Sequence, residues 1–344
     1  MYKYFLATIL FLMLAACSSD TPEETAGNPD ESRAATVAED LDAPWMIENS
    51  GDGFYISGRN GGLTLVTDDG QETQSLNLSV PVEADNEGGL LGFLLHPDDA
   101  GKAFVYYTYS DGGLKNRVVE LTHEAGAWNE SRVIAEDIPG GSVHNGGRLE
   151  IGPEGYLFVT TGDAGDAESS QETESLAGKI LRFNPDGSIP EDNPFNNEVY
   201  SYGHRNPQGL AWDGEGNMYA TEHGSSAHDE INLIEPGNNY GWPVIEGDED
   251  AESMETPLYH TGEDTWAPSG IAYHDGNLYI AALRGEKIIE YDIESGEASE
   301  FYGEPSRFRD VYIEDGNLYA ITNNTDGRGD PEAGDDRLIQ IELE

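Results

Sequence analysis

HNGGRLEIGPEGYLFVTTGDAG (residues 144–165) opens on a histidine in a polar, glycine-rich loop and runs into an apolar strand over 156–160. It closes on an acid, Asp163, held between Gly162 and Gly165. A base, a strand and an acid in this order bring His144 and Asp163 to one rim of a sheet. The centre of the stretch, a glycine leading into an aromatic-rich β-run, recurs along the chain. The copies are GFYIS from Gly53, GKAFVYYTYS from Gly101, GYLFVTTGD from Gly155, GNMYATEHG from Gly216, GNLYIAALRG from Gly276 and GNLYAITNN from Gly316. Most follow Asp, Glu or Gly, which makes a tight turn into the strand. Repetition every 40 to 60 residues or so, with many short strands and no long helical pattern, predicts a β-propeller. Six copies predict an all-β fold of six four-stranded antiparallel blades, each copy an inner strand of its blade. A pair of β-sandwiches would give no reason for six matched strands.

Working outward, long polar loops at 161–175, 184–199, 222–230 and 246–266 separate the strands. Loops of that length in a compact domain carry function, and those that follow the repeated strands share one face of the disc around the channel. The N-terminus is different. Lys3, an apolar run over 5–14 and then Leu14-Ala15-Ala16-Cys17 read as a signal peptide too short to span a bilayer. Its end resembles the bacterial lipobox, cut so that Cys17 takes lipid. Cys17 is the one cysteine of the chain, so no intramolecular disulfide forms. The expected division is a lipoprotein signal over 1–16, a lipidated Cys17 and disordered acidic tether over 17–38, and the propeller over 39–344. The expected location is outside the cytoplasm, anchored by lipid on the periplasmic or cell-surface side, with no other membrane contact.

Asp and Glu number 67 against 17 Lys and Arg, for a formal charge of −50. The acids are spread along the whole chain, which describes a uniformly acidic surface rather than an interaction tail. Such a surface excludes nucleic acid as a partner and points to a salt-adapted organism, where screening removes the self-repulsion. Cations so scarce are informative. Arg205, Arg284, Arg307 and Arg309 fall in or just after loops that link blades. Each alone could pair a neighbouring acid, but four at matching blade positions predict a cationic cluster that draws an anionic ligand into the channel mouth. His144 and Asp163 are the acid–base candidates, since a carboxylate that fixes the imidazole tautomer lets the other nitrogen take a hydroxyl proton. The segment 221–243 mixes carboxylates with glycine and asparagine, an oxygen-rich composition that suits Ca²⁺ without requiring it, and no Cys/His spacing suits zinc.

Six motifs carry a resemblance: HNGGRLEIGPEG (144–155), SLAGKILRFNPDGSIPEDNPF (175–195), YSYGHRNPQGLAWD (200–213), EHGSSAHDEINLIEPGNNYGWP (222–243), APSG (267–270) and RFRDV (307–311). From about Leu41 to the C-terminus the sequence resembles the glucose/sorbosone dehydrogenase family, and within it the soluble aldose sugar dehydrogenases that use pyrroloquinoline quinone (PQQ). The resemblance implies a six-bladed propeller that oxidises the C1 hydroxyl of an aldose to a lactone by hydride transfer to PQQ. The electrons then pass to an acceptor, a quinone or a cytochrome. It implies His144 as the base, Asp163 as its orienting carboxylate, and Arg205 with Asn206 at the quinone carbonyls. Arg284, Arg307 and Arg309 then face the cofactor's carboxylates. Main-chain oxygens of Gly224 and Ser225 hold a Ca²⁺ that also ligates PQQ. Glu230 and the Tyr240 carbonyl hold a second Ca²⁺, with Asp248 or Asp250 as a further ligand. Glu87 stands where some relatives carry a glutamine at the cofactor, Ser225 replaces a frequent proline, and Trp266 is a lid over the cofactor. Long substrate-specifying insertions are not evident, which implies broad sugar specificity. Two other classes fit a propeller: a calcium-dependent sugar-lactone hydrolase, which needs no arginine ring, and a non-catalytic surface propeller that binds glycans or a partner.

Overall fold

The glycines that lead into the repeated runs close hairpins. In Asp275-Gly276 and Asp315-Gly316 both turn residues are left-handed, with φ of 44° and 89° in the first and 49° and 75° in the second. Two consecutive positive φ values make the two-residue turn whose twist matches the flanking strands, and glycine takes its second place without strain. Each hairpin therefore joins the first and second strands of a blade. The computed structural model describes Met1 and residues 33–343. The signal peptide, Cys17 and the tether up to residue 32 lie outside the described residues.

Among those residues the strands form six sheets with one short 3-10 helix, Ala167–Gln171. The blades span 44–73, 75–139, 149–202, 207–260, 268–303 and 308–342. The sixth takes Ala34–Ala38 as its outermost strand, paired antiparallel to Leu338–Glu342, so the two ends of the chain close the ring. The sequence had placed 34–38 in the tether. AATVA gives no apolar signal because an outer edge strand buries little, and only Ala38 of the five is fully covered. One blade departs from four antiparallel strands: Ser75–Asn77 adds a fifth strand, parallel to Ala127–Pro139.

The repeated runs are the second strands of their blades. The strands before them, such as Pro44–Asn49, Leu149–Ile151, Pro207–Trp212 and Phe308–Glu314, stand against one another around the axis. The chain approaches itself closely there: a Cβ on Gly270 would collide with the Asp310 carboxylate. Aromatic and branched side chains fill the spaces between blades, as where Trp45, Leu91, Phe104, Tyr106, Leu149 and Leu157 form one buried cluster. Loops that follow second strands and loops that precede first strands emerge on one face. Segments 161–175 and 222–230 belong to it. Segment 184–199 follows a third strand, Lys179–Phe183, and so lies on the opposite face.

A polar plug closes the axis between the two faces. Arg148 donates from Nη1 to Asp310 at 2.9 Å and from Nε to the Gln208 carbonyl at 2.8 Å, with its guanidinium 4.6 Å from the Trp45 ring. Behind the plug, Glu48 and Glu150 line a cavity of about 330 Å³. Burial pushes both carboxyls up from 4.5 to about 8, with the neighbouring Asp310 adding to it; the Leu95 N–H opposes this at Glu48 and Arg148 opposes it at Glu150. Each folded value lies above the unfolded one. The stability tied to the protonated forms is therefore complete below about pH 4.5 and is lost as pH rises towards 8. Glu150→Gln keeps the shape and removes one of the two ionisations. Its melting temperature should exceed that of the wild type by more at pH 8 than at pH 5, with a difference on the order of 2 kcal/mol between the two pH values. Equal gains at both pH values would contradict the assignment.

Candidate active site

His144 sits in the loop before the third blade's first strand, at φ 54°, a left-handed conformation that strains a residue with a side chain. The Ala164 N–H donates to its carbonyl at 3.0 Å, and its own N–H donates to Glu87 Oε2 at 2.8 Å. Gly162 passes so close that a Cβ there would strike the His144 carbonyl. Nδ1 lies 2.7 Å from Asp163 Oδ1, on the loop that follows the same blade's second strand. Burial would raise Asp163, but hydrogen bonds from His144, the Gly165 N–H and Trp242 outweigh it and hold the carboxylate below its ordinary value. An ionised Asp163 accepts the hydrogen bond from His144 Nδ1–H, which leaves Nε2 with its lone pair on the cavity side.

That cavity, about 410 Å³, is lined by His144, Glu87, Arg205, Gly224, Ser225, Arg284, Arg307 and Arg309 among the residues named from sequence. It also takes in Arg59, Arg328, His223, Asp229 and Asp326, none of which the sequence reading had singled out. Six guanidiniums thus face three carboxylates inside a chain of formal charge −50. Asp326, with its side chain 1% exposed, serves three arginines at once: Arg307 at 3.2 Å, Arg309 at 3.8 Å and Arg59 at 4.0 Å. Burial, opposed by Asp326 and reinforced by Arg59 and Arg307, lowers Arg309 to about 9, still charged at neutral pH. Arg328 pairs with Glu87 at 2.7 Å. Arg205 donates to the His223 carbonyl at 3.2 Å, its guanidinium lies 5.3 Å from the Trp242 ring, and its main-chain N–H donates to Glu222. The Nε atoms of Arg59, Arg205 and Arg309 and Nε2 of His223 are buried with no partner. Burial holds His223 down at about 4, the fields of Asp229 and Glu87 opposing and those of Arg309 and Arg205 adding, so the imidazole is neutral at working pH. With six guanidiniums against three carboxylates, the cavity presents excess positive charge, which suits a bound anion.

Asn206 and Trp266 stand behind this wall. Asn206 is buried, with Oδ1 accepting the Gly146 N–H at 3.1 Å, so it braces the loop that carries His144. Trp266 is not the expected lid: its ring stacks on Tyr259 at 5.2 Å, and Thr265 and Ala267 line the cavity in its place. The reason is Asp229, whose Oδ2 accepts from Thr265 Oγ1 and the N–H groups of Trp266 and Ala267 at 2.6 to 2.9 Å. Its Oδ1 accepts the Gly224 N–H at 3.0 Å, which ties the Gly224 loop to the same segment.

The carbonyls of Gly224 and Ser225 receive no N–H among the described residues, and a Cβ on Gly224 would collide with the Ala227 carbonyl. Glu230 and Tyr240 line a small neighbouring cavity with Glu222 and Glu246. Burial, with Glu222 and Glu246 adding to it and the Gly247 N–H and Asn232 opposing, raises Glu230 to about 7. Asp250 does not join them: it is exposed and lines neither cavity, and Asp248 pairs instead with His260 at 3.0 Å. A chain so rich in acids made Asp248 and Asp250 look as eligible as Glu222 and Glu246. The strand ends decide it, because Glu222 and Glu230 pair across adjacent strands.

Residues 41–332 match the model of the glucose/sorbosone dehydrogenase family. The chain belongs to that family. An aldose sugar dehydrogenase of Escherichia coli, YliI, is 30% identical over 83% of this chain and 89% of its own length. A quinoprotein glucose dehydrogenase B of Acinetobacter calcoaceticus is 35% identical over 49% of this chain and 42% of its own. The solved structure of a PQQ-bound aldose sugar dehydrogenase from Streptomyces coelicolor superposes with a TM-score of 0.85 at 38% identity, covering 90% of this chain and 97% of that one. The family and the six-bladed fold agree with what the motifs and the strand repeat imply.

Proposed function

We propose that the protein is a PQQ- and calcium-dependent dehydrogenase that oxidises the C1 hydroxyl of aldoses to lactones, broad in its choice of sugar and adapted to salt. The observation that carries this reading is the cavity beside the His144–Asp163 pair, where six guanidiniums face three carboxylates. A planar, multiply anionic cofactor such as PQQ suits that excess of positive charge. Relatives whose names or titles give aldose sugars and PQQ support the same reading. A lactone hydrolase would want a carboxylate-rich metal centre in the channel, where arginines dominate instead.

Arg59, Arg284, Arg307, Arg309 and Arg328 would hold the cofactor's carboxylates. The Gly224 and Ser225 carbonyls would hold one Ca²⁺, and Glu230 with the Tyr240 carbonyl would hold a second, since hard oxygen ligands are what this ion takes. PQQ, when bound, supplies the two-electron acceptor for the sugar's C1 hydride. His144 takes the C1 hydroxyl proton at Nε2, while Asp163 holds the tautomer and stabilises the imidazolium. Arg205 holds negative charge that develops in the cavity as hydride leaves the sugar.

The test is reconstitution of the purified chain with PQQ and Ca²⁺, followed by dye-linked oxidation of several aldoses at low salt and in molar KCl. Comparable turnover on several sugars is expected, lost on chelation and highest in molar salt, where the Debye length of ~3 Å screens the acidic surface. A chain that binds PQQ and reduces no dye with any aldose would overturn the proposal.

A further inference from the structure

We propose that Trp242 is a positioning residue that ties the His144–Asp163 pair to Arg205. Its indole Nε1–H donates to Asp163 Oδ2 at 2.9 Å, while the carboxylate's other oxygen meets His144 Nδ1 at 2.7 Å. The face of the same ring lies 5.3 Å from the Arg205 guanidinium. One side chain therefore touches both partners whose relative placement the chemistry requires, and it does so from outside the cavity wall. Trp242 is itself fixed. Its N–H donates to the Gly203 carbonyl at 2.9 Å, and its carbonyl accepts from Gln171 Nε2 at 2.7 Å. Gln171 closes the 3-10 helix Ala167–Gln171 that follows Asp163, so the ring is anchored to the loop it braces. The arrangement rests on the proposed function for its meaning, although the wiring can be measured without it.

Two consequences follow from the chemistry. The indole N–H draws on the Asp163 charge, so removing it leaves a stronger acceptor for His144 Nδ1–H and stabilises the imidazolium. The ring also holds the Arg205 guanidinium by cation–π contact, which phenylalanine retains in part. Trp242→Phe therefore separates the two: packing and the ring face stay while the donor goes. A tryptophan that only fills space would leave the His144 titration unmoved by this exchange.

The titratable and charged groups around His144 are Asp163, Glu87 with its partner Arg328, and Arg205 and His223 across the cavity. All of them remain in the variant. The experiment follows the histidine Cε1–H resonances of the full chain against pH, with the His144 signal identified by its loss in His144→Ala. In Trp242→Phe the midpoint of the His144 titration should rise by about half a pH unit. In an Asp163→Asn background the same exchange should leave it unmoved. An unchanged midpoint in Trp242→Phe, or an equal rise without Asp163, overturns the proposal. If Trp242→Phe does not fold, the Trp242 indole N–H resonance is compared between the wild type and Asp163→Asn: a marked upfield move is expected, and no move overturns the proposal. With the sugar assay in hand, turnover should fall roughly ten- to hundredfold at unchanged sugar KM, with the acid limb of the pH profile shifted upward. A wild type that oxidises no aldose while the midpoint still rises would defeat the functional reading and leave this one standing.

Discussion

His144→Ala should lower turnover with bound PQQ by a factor on the order of 10² to 10⁴ and leave cofactor affinity nearly unchanged. The C1 hydroxyl of a sugar is a weak acid, and hydride leaves the carbon only as the hydroxyl proton is taken up. In this fold the one imidazole nitrogen both free of a partner's proton and facing the cavity beside a carboxylate is His144 Nε2, because Asp163 holds Nδ1–H. The other cavity histidine, His223, has no carboxylate within hydrogen-bond reach and burial lowers it to about 4, which makes it a poor base. On the proposed reading, cofactor affinity resides in the arginines, which the substitution does not touch. Lost proton uptake therefore appears in kcat, while a PQQ titration stays at the wild-type value. Near-normal turnover in His144→Ala with PQQ bound would mean that the proton goes elsewhere, and the catalytic assignment would fall with it.

The blade count was legible because hairpin chemistry is local. Asp-Gly or Glu-Gly before an aromatic run marks the turn in five blades, and the aromatic run after Ala100-Gly101 marks the sixth. The same locality explains what was misplaced. The glycine marks the turn between first and second strands, so it identifies the second strand and leaves the axis-lining strand unmarked. The closing strand Ala34–Ala38 carries no turn signal and buries little, and its partner Leu338–Glu342 lies at the far end of the chain. No local pattern could have joined them.

The site was legible where a residue type is rare and its position repeats. Arg205, Arg284, Arg307 and Arg309 stood out against an acidic background. Arg59 and His223 follow the second strands Gly53–Gly58 and Met218–Glu222 directly, one position nearer the strand end than Arg284 after Asn277–Ala282. Extending that rule to every blade would have found both. Asp326 and Asp229 were not legible, since one acid among 67 has nothing to distinguish it until the fold sets it against three guanidiniums or four donors. Trp266 failed as a lid for the same reason: its direction is set by Asp229, a contact 37 residues away in sequence.

Asp326→Asn should lower the melting temperature of the cofactor-free protein by roughly 6 to 15 °C. Asp326 is the shared counter-ion of Arg59, Arg307 and Arg309, and burial works against its charge while those arginines and the Arg328 N–H hold it ionised. Asparagine preserves volume and the ability to accept hydrogen bonds, so the loss is charge alone. Removing one partner of a buried ion pair costs about 3 to 5 kcal/mol, because the remaining charge stays desolvated without compensation. In a domain of this size each kcal/mol corresponds to about 2 to 3 °C. The same loss raises the net positive charge of the cavity, so an anion that enters it should stabilise the variant more than the wild type. The rise in melting temperature on adding PQQ, or inorganic sulfate as a simple divalent probe, should therefore be larger in Asp326→Asn. Paired thermal melts with and without each anion make the comparison. A variant that melts with the wild type, or that gains no more from anions than the wild type does, would show that the three arginines do not depend on Asp326 and that their charge is not what the cavity offers a ligand.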